Sequence, residues 1–382
     1  MQWPARLAAL LLLAATLSTA RARAAETAAP APIRGPLGLR IQGVLRELFL
    51  DPILLDARPL EGSRPVFDLR WAVANSWNLP MQIYDGGALV DQLLDEQADS
   101  LTASVRTPWS FLLDAGPRLP GSSRGLWERL STQLEYRATL HWGGWSDRPI
   151  EGWHWLTGAF NYERNVYPRN QVHLLLRDSN GVTFFELDKA TLAPGDLVVR
   201  TQLVLYESAD TALSARVDVK LPLGKTNRAA TSGGVDAAAT VAASARVLPR
   251  LTLHGQLAAA VYSNFAADLA LQPNRWHLFA DLSAQVHLGP VDAFVEDRVA
   301  SALLQGEWLR LPFLGDNGYL SSGLAADFRP HNQISFGLRF REWTAWLSED
   351  FTPGKNPHSL LQILYVSNSP DVAVGLSWRR AL

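Results

Sequence analysis

The chain has no cysteine and only two methionines, and its charges almost cancel, 35 basic side chains against 37 acidic. Without cysteine it has neither the disulfides common in secreted soluble proteins nor the thiol on which a lipoprotein is anchored. Balanced charge removes the electrostatic reason to expect nucleic acid as a partner. Long apolar runs are also missing. The stretch from Leu7 to Leu17 is well short of the roughly 20 residues that a spanning helix needs. With Arg6 before it and Ala20, Ala22 and Ala24 after it, that stretch reads as the core of a secretory signal peptide over residues 1–25.

What the sequence has in quantity is tryptophan, 14 residues, and strict alternation. Trp276, Leu278, Ala280, Leu282, Ala284, Val286 and Leu288 occupy every second position, with Arg275, His277, Asp281, Ser283, Gln285 and His287 between them. Successive side chains of a strand point to opposite faces, so this segment has one oily and one ionisable face. A soluble sandwich would turn the oily face inward, and a membrane barrel turns it toward lipid and keeps the wet face in a lumen. Similar segments recur along the chain, many of them about 9–14 residues long, which suits tilted membrane strands better than the ~5–6 residues of soluble ones. Long connections at 222–234, 263–274 and 304–317 alternate with tight ones at Leu248-Pro249, Gly289-Pro290 and 329–331. Outer-membrane barrels have this rhythm of long external loops and short periplasmic turns. The many alanines on the oily faces, among them Ala237, Ala239, Ala280 and Ala284, fit a lipid-facing wall better than a packed core.

The expectation is an all-β protein, an antiparallel up-and-down transmembrane β-barrel with an even number of strands between 12 and 16. The run from Gln333 to Asp350 is too long for one crossing, and a fold-back near Arg341-Glu342 brings the count to about 16. Residues 26–64, rich in proline, leucine and arginine, are expected to be a periplasmic lead-in, part of it serving as a plug or a first short strand. Residues 65–382 form the barrel. In a long connection Ser146 or Asp147 is positioned to cap a short helix with Pro149 in its first turn, and Asn180-Gly181 marks a hairpin.

The run EGWHWLTGAFNYERNVYPRNQV at Glu151–Val172, followed by APGDL at Ala193–Leu197, resembles an uncharacterised bacterial family, the domain of unknown function 3187 family. ANSWN at Ala74–Asn78, LPLGKTN at Leu221–Asn227 and NSPDVAVGLSW at Asn368–Trp378 extend the likeness over most of the mature chain. The resemblance implies an outer-membrane barrel, with Trp378 standing where such chains carry the aromatic signal read by the barrel-assembly machinery. It implies no reaction and no ligand.

The expected partners are outer-membrane lipid, that machinery during insertion, and a small solute; no cofactor or metal is called for. The leading functional reading is passive passage or binding of a small solute in a monomeric barrel of the bacterial outer membrane. Arg246, His254, Arg275, His277, Asp281, His287, Glu296 and Arg298 are the candidates to line its lumen and set selectivity. Their mixed signs predict weak ion preference. Trp153, His154, Trp155 and Arg164 are candidates for a plug or constriction, against the blander reading of an aromatic anchor at the membrane surface. An outer-membrane lipid-modifying hydrolase is the alternative, for which Ser244, Ser283 and Ser301 and the three strand histidines are available without any surrounding nucleophile motif. His277 and His287 lie roughly 33 Å apart on one strand and cannot share an ion. A structural or assembly role without ligand is the third reading.

Overall fold

A computed structural model describes residues 35–60, 64–85, 88–113, 116–118, 124–157, 168–177, 180–265, 273–301, 303, 331–352, 365–366 and 372–382. At 77–95, 153–154, 157, 331–332, 349–352, 365–366 and 372 it describes the backbone alone. The strands in chain order are β1 (Val66–Asp85), β2 (Ala88–Pro108), β3 (Leu130–Trp142), β4 (His173–Arg177), β5 (Thr183–Leu187), β6 (Thr191–Glu207) and β7 (Thr211–Leu221). They continue as β8 (Asp236–Leu248), β9 (Leu251–Val261), β10 (Trp276–Leu288), β11 (Val291–Ala300), β12 (His331–Phe340), β13 (Trp343–Thr352), β14 (Tyr365–Val366) and β15 (Val372–Ala381).

Twelve of these form the wall, in the order β1-β15-β13-β12-β11-β10-β9-β8-β7-β6-β3-β2, and pairing of β1 with β2 closes it. All wall pairings are antiparallel. The result is a closed transmembrane β-barrel with its two chain ends meeting at the seam, where Val66 pairs with Ala381. The alternation places the faces as expected: on β10, His277, Asp281, Ser283 and Gln285 are buried inside, whereas Leu278 and Leu282 are 65% and 61% exposed outside.

Twelve lies at the low end of the expected range, and the reasons are local. Trp109, Phe111, Leu113 and Ala115 alternate as a strand would, but the segment begins as a single 3₁₀ turn, Trp109–Phe111. Pro108 has no N–H for the ladder, and the Trp109 indole turns aside to donate to Thr132 Oγ1 at 3.0 Å. The hairpin at Asn180-Gly181 forms, with Gly181 at φ 78°, but its strands β4 and β5 add no crossing. β2 is long enough to overshoot the barrel, so Gln97–Pro108 pairs with β3 while Asp91–Asp95 beyond it pairs with β4. The fold-back at Arg341-Glu342 is present, with Arg341 at φ 55°, and splits the long run into β12 and β13. The sequence also reads as strands at Tyr319–Phe328 and Leu360–Tyr365; the first and all but the end of the second lie outside the described residues, as does the leader at 1–25.

The short connections β6–β7, β8–β9, β10–β11 and β12–β13 share the seam end of the barrel; β3–β6, β7–β8, β9–β10 and β11–β12 run long at the other. The seam end is thus the short-turn end, and the other is the outer, long-loop end. At the outer end stands α1 (Asp147–Thr157), the expected helix with Pro149 in its first turn. Buried Asn75 of β1 donates to both Ser146 Oγ and Asp147 Oδ1, at 2.9 and 3.0 Å, and Asp147 Oδ2 accepts from the Asn170 N–H at 2.6 Å.

Candidate functional site in the barrel interior

Of the segment 26–64, expected as a lead-in with part of it a plug or a first short strand, residues 35–58 are found inside the barrel. An eight-stranded barrel is filled by its own side chains, while sixteen strands leave an aqueous channel. Twelve lie between, and here the surplus volume is taken by a hairpin of chain. It enters at the short-turn end, rises to a one-turn helix at Val44–Glu47 and descends again. Leu37, Leu39, Ile41, Leu48, Phe49, Ile53 and Leu54 are each at most 5% exposed.

The rising limb begins where Arg339 Nη1 donates to the Gly35 carbonyl at 2.9 Å. Arg70 donates to the Gly38 carbonyl. Glu296 accepts from the N–H groups of Gly38 and Leu39, both at 3.3 Å, and Arg298 Nη1 donates to Leu39 O at 2.8 Å. Arg40 pairs with Glu135 at 3.1 Å. At the top, Arg137 meets Glu47 at 2.9 Å and Lys220 Nζ donates to Leu48 O at 2.8 Å.

On the descending limb Leu50 donates its N–H to Asp236 at 2.9 Å, and the Tyr262 hydroxyl donates to Leu50 O at 2.6 Å. Asp51 accepts from Arg298 and, across the two limbs, from the Ile41 N–H at 2.8 Å. Gln256 and Arg298 donate to Pro52 O at 2.7 and 2.8 Å, and Arg216 donates to Ile53 O at 2.7 Å. Below them the Ala57 N–H donates to Ser244 Oγ at 3.0 Å, and Arg58 reaches Asp210 O, in the β6–β7 turn, at 2.9 Å. The wall answers the hairpin mostly with cations: Arg70, Arg137, Arg200, Arg216, Lys220, Arg298 and Arg339 all donate to its carbonyl oxygens. Such charge-assisted bonds are the strong class, and a buried cation left without an acceptor is costly.

The outer end is different in kind. Ile41, Val44, Leu45, Leu48 and Phe49 at the hairpin tip pack into one apolar cluster with Phe184 and Phe185 of β5 and with Tyr262, Phe265 and Phe279. The Phe49 ring stacks on Tyr262 at 4.9 Å and meets Phe265 edge-on at 5.3 Å. Phe279, apolar on an inward face, belongs to this seal.

Of the lumen candidates, His254, His277, Asp281, Glu296 and Arg298 are buried inside. Arg298 joins Asp281 at 3.2 Å, and Asp281 accepts from Gln256. His287 is half-buried at the short-turn rim, bonded to Asp292 at 2.7 Å. Arg246 and Arg275 do not line the lumen. Arg246 sits 40% exposed on Asp210 of the β6–β7 turn, and Arg275 is exposed in the connection before β10. Both fall where alternation no longer governs direction, one at a turn and one ahead of the strand. Of the plug candidates, Trp155 is 84% exposed on α1. The side chains of Trp153 and His154, and the whole of Arg164, lie outside the described residues.

Two of the serine–histidine pairs available in sequence meet. Ser244 Oγ lies 2.8 Å from His254 Nδ1, with Asp56 of the hairpin 4.0 Å from the same nitrogen. Ser301 Oγ lies 3.3 Å from His277 Nδ1, whose Nε2 donates to the Asn274 carbonyl at 2.7 Å. Ser283 faces inward, but its hydroxyl makes no hydrogen bond. Among the described residues no three His, Asp or Glu are grouped to hold a metal ion. Sequence reasoning missed the pair of Glu96 and His141, which meet at 2.6 Å with both side chains buried.

Several solved structures share the barrel outline. The COG4313 outer membrane channel from Pseudomonas putida F1 is 12% identical, with 86% of this chain and 98% of that one covered, at a TM-score of 0.45. The P. putida toluene transporter TodX is 10% identical, covering 84% and 90%, at 0.34. The Ralstonia pickettii toluene transporter TbuX is 8% identical over the same shares, at 0.37. Likeness at this level carries no argument about cargo. No curated protein matches the chain. Residues 120–295 match the family described as "Protein of unknown function (DUF3187)", which bears out the resemblance carried by Glu151–Val172 and Ala193–Leu197.

Proposed function

We propose that this chain is a solute channel of the bacterial outer membrane whose resting state is stoppered by its own N-terminal hairpin. The observation that carries the reading is the way the hairpin is held. A barrel that only had to stand in a membrane would gain nothing from a buried charged interior, which costs desolvation. Here the wall's cations are spent on the main-chain carbonyls of a single removable segment, and water or a polar solute replaces such acceptors when the segment withdraws. The outward apolar belt, with Leu257 at 69% exposure, supports a membrane location. The wall residues left behind carry both signs, so ion preference is weak.

Conductance in planar bilayers tests this. The mature chain is expected to be closed, with rare openings, and a variant lacking residues 36–57 to conduct steadily. A deletion variant that still runs as a folded, heat-modifiable barrel yet stays silent would sink the proposal.

The Ser301–His277 contact favours a second reading, acyl hydrolysis at the outer rim. The imidazole has a free acceptor nitrogen toward the serine and is oriented by the Asn274 carbonyl, the arrangement a general base needs. Lipid turnover by the purified protein, abolished in Ser301→Ala, is the outcome expected of it. Turnover that is absent, or unaltered by that change, excludes it.

A further inference from the structure

β11 carries an acidic group on the wrong face. Glu296 and Arg298 point into the lumen, so Asp297 between them points out, half-buried among lipid-facing side chains. It pairs across the sheet with Leu282 on β10 and Ile334 on β12. Leu282 stands midway between Trp276 and Leu288, the ends of the outward row of β10, which puts Asp297 near the middle of the apolar belt. Among the described outward side chains of β9 to β12 it is the one ionisable group. Its Oδ1 is buried and makes no hydrogen bond, and hydrocarbon has nothing to offer it. An ionisable side chain at such a depth asks for a partner.

The surface beside it is shaped for contact. Asp297 lines a depression on the outer wall of about 420 Å³, together with Ala243, Gly255, Ala280 and Leu282. Small residues there allow two walls to approach closely, and Leu257 and Leu282 stand up from the same patch. Two copies in one bilayer related by an axis along the membrane normal present every residue at equal depth, and a two-fold contact sets each patch against itself. The group that a second copy brings to the level of Asp297 is therefore its own Asp297. Two protonated carboxyl groups satisfy each other, each donating its O–H to the other's carbonyl oxygen.

We propose that this wall is the contact face of a homodimer, in which the Asp297 carboxyls of two copies bind one another across a two-fold axis. Leu282 of each copy then packs toward Ile334 of the other, framing the pair. This replaces the monomer expected from sequence, and it does not depend on whether the lumen conducts.

Because the chain lacks cysteine, single thiols report the contact directly in native membranes. Val295→Cys, one outward position from Asp297, is expected to form a disulfide-linked dimer on oxidation. Leu134→Cys on β3, diametrically across the wall order, is expected to give none. Adding Asp297→Leu to Val295→Cys should cut the cross-link at least tenfold, and adding Asp297→Asn, whose amides can pair, should preserve it. Heat-modifiable migration on gels confirms that each variant is folded. Equal cross-linking from both walls, none from Val295→Cys, or a yield indifferent to Asp297→Leu would each overturn the proposal.

Discussion

From Gly35 to Arg40, and again from Asp51 to Ala57, the inner hairpin meets the wall through a dense set of carbonyl oxygens, amides and charged side chains, with Leu37 and Leu39 packed beside them among Ala72, Phe294 and Trp346. From Val44 to Leu50 similar bonds are joined by aromatic and aliphatic packing against β5, Tyr262 and Phe265. The two regions respond differently to water. A guanidinium that loses a carbonyl can be hydrated once the lumen wets, so the limbs are exchangeable contacts. Water offers nothing to Phe49, so the tip adds a hold that wetting does not release. The hairpin is thus tied along its limbs by charge-assisted bonds and latched at its outer end by apolar packing.

The largest departure should come from Arg298→Ala. This side chain ties both limbs at once, to Leu39 O, Pro52 O and Asp51, while also meeting Asp281. Removing one member of a buried ionic network costs about 3–5 kcal/mol, and open time in bilayer recordings should rise by roughly 100-fold or more. Phe49→Ala removes a fully buried aromatic from the tip, at a cost of about 3 kcal/mol. Its openings should be almost unchanged between about 0.1 and 1 M salt, because the charges near the ring, Lys220 among them, are buried and little screened. Arg246→Ala, at the exposed rim pair with Asp210, should change the opening rate by less than about fivefold, in keeping with ~0–1 kcal/mol for a surface ion pair. If Arg246→Ala opened the barrel as far as Arg298→Ala, the distinction between interior guidance and rim decoration would be lost. If Phe49→Ala had no effect, the tip would not be the latch.

Reading alternation sufficed to orient the wall. His277, Asp281, Ser283 and Gln285 inside and Leu278, Leu282 and Val286 outside follow from period two alone, and the same parity placed Glu296 and Arg298. It failed for Arg246 and Arg275, which lie where the strand yields to a turn or a loop. It also left Asp297 unremarked, although the residue between two inward charges must face lipid. Tryptophan-rich α1 stands out as a plug candidate because its composition is unusual, whereas in the proline-rich segment 26–64 a plug is only one of the options the residues leave open. Its contacts are with residues such as Glu296, 258 positions away from Gly38, and no local pattern records so distant a partner.

By itself, then, the order of residues determined the strands, which side of each faces oil, and which end carries the long loops, because these depend on neighbours two positions apart and on turn chemistry. Whether the ring closed at twelve, and what occupied its bore, was decided in three dimensions. The width of a closed sheet fixes how much space remains inside. Only the folded barrel brings Arg216, Lys220, Arg298 and Arg339 within reach of one returning stretch of backbone.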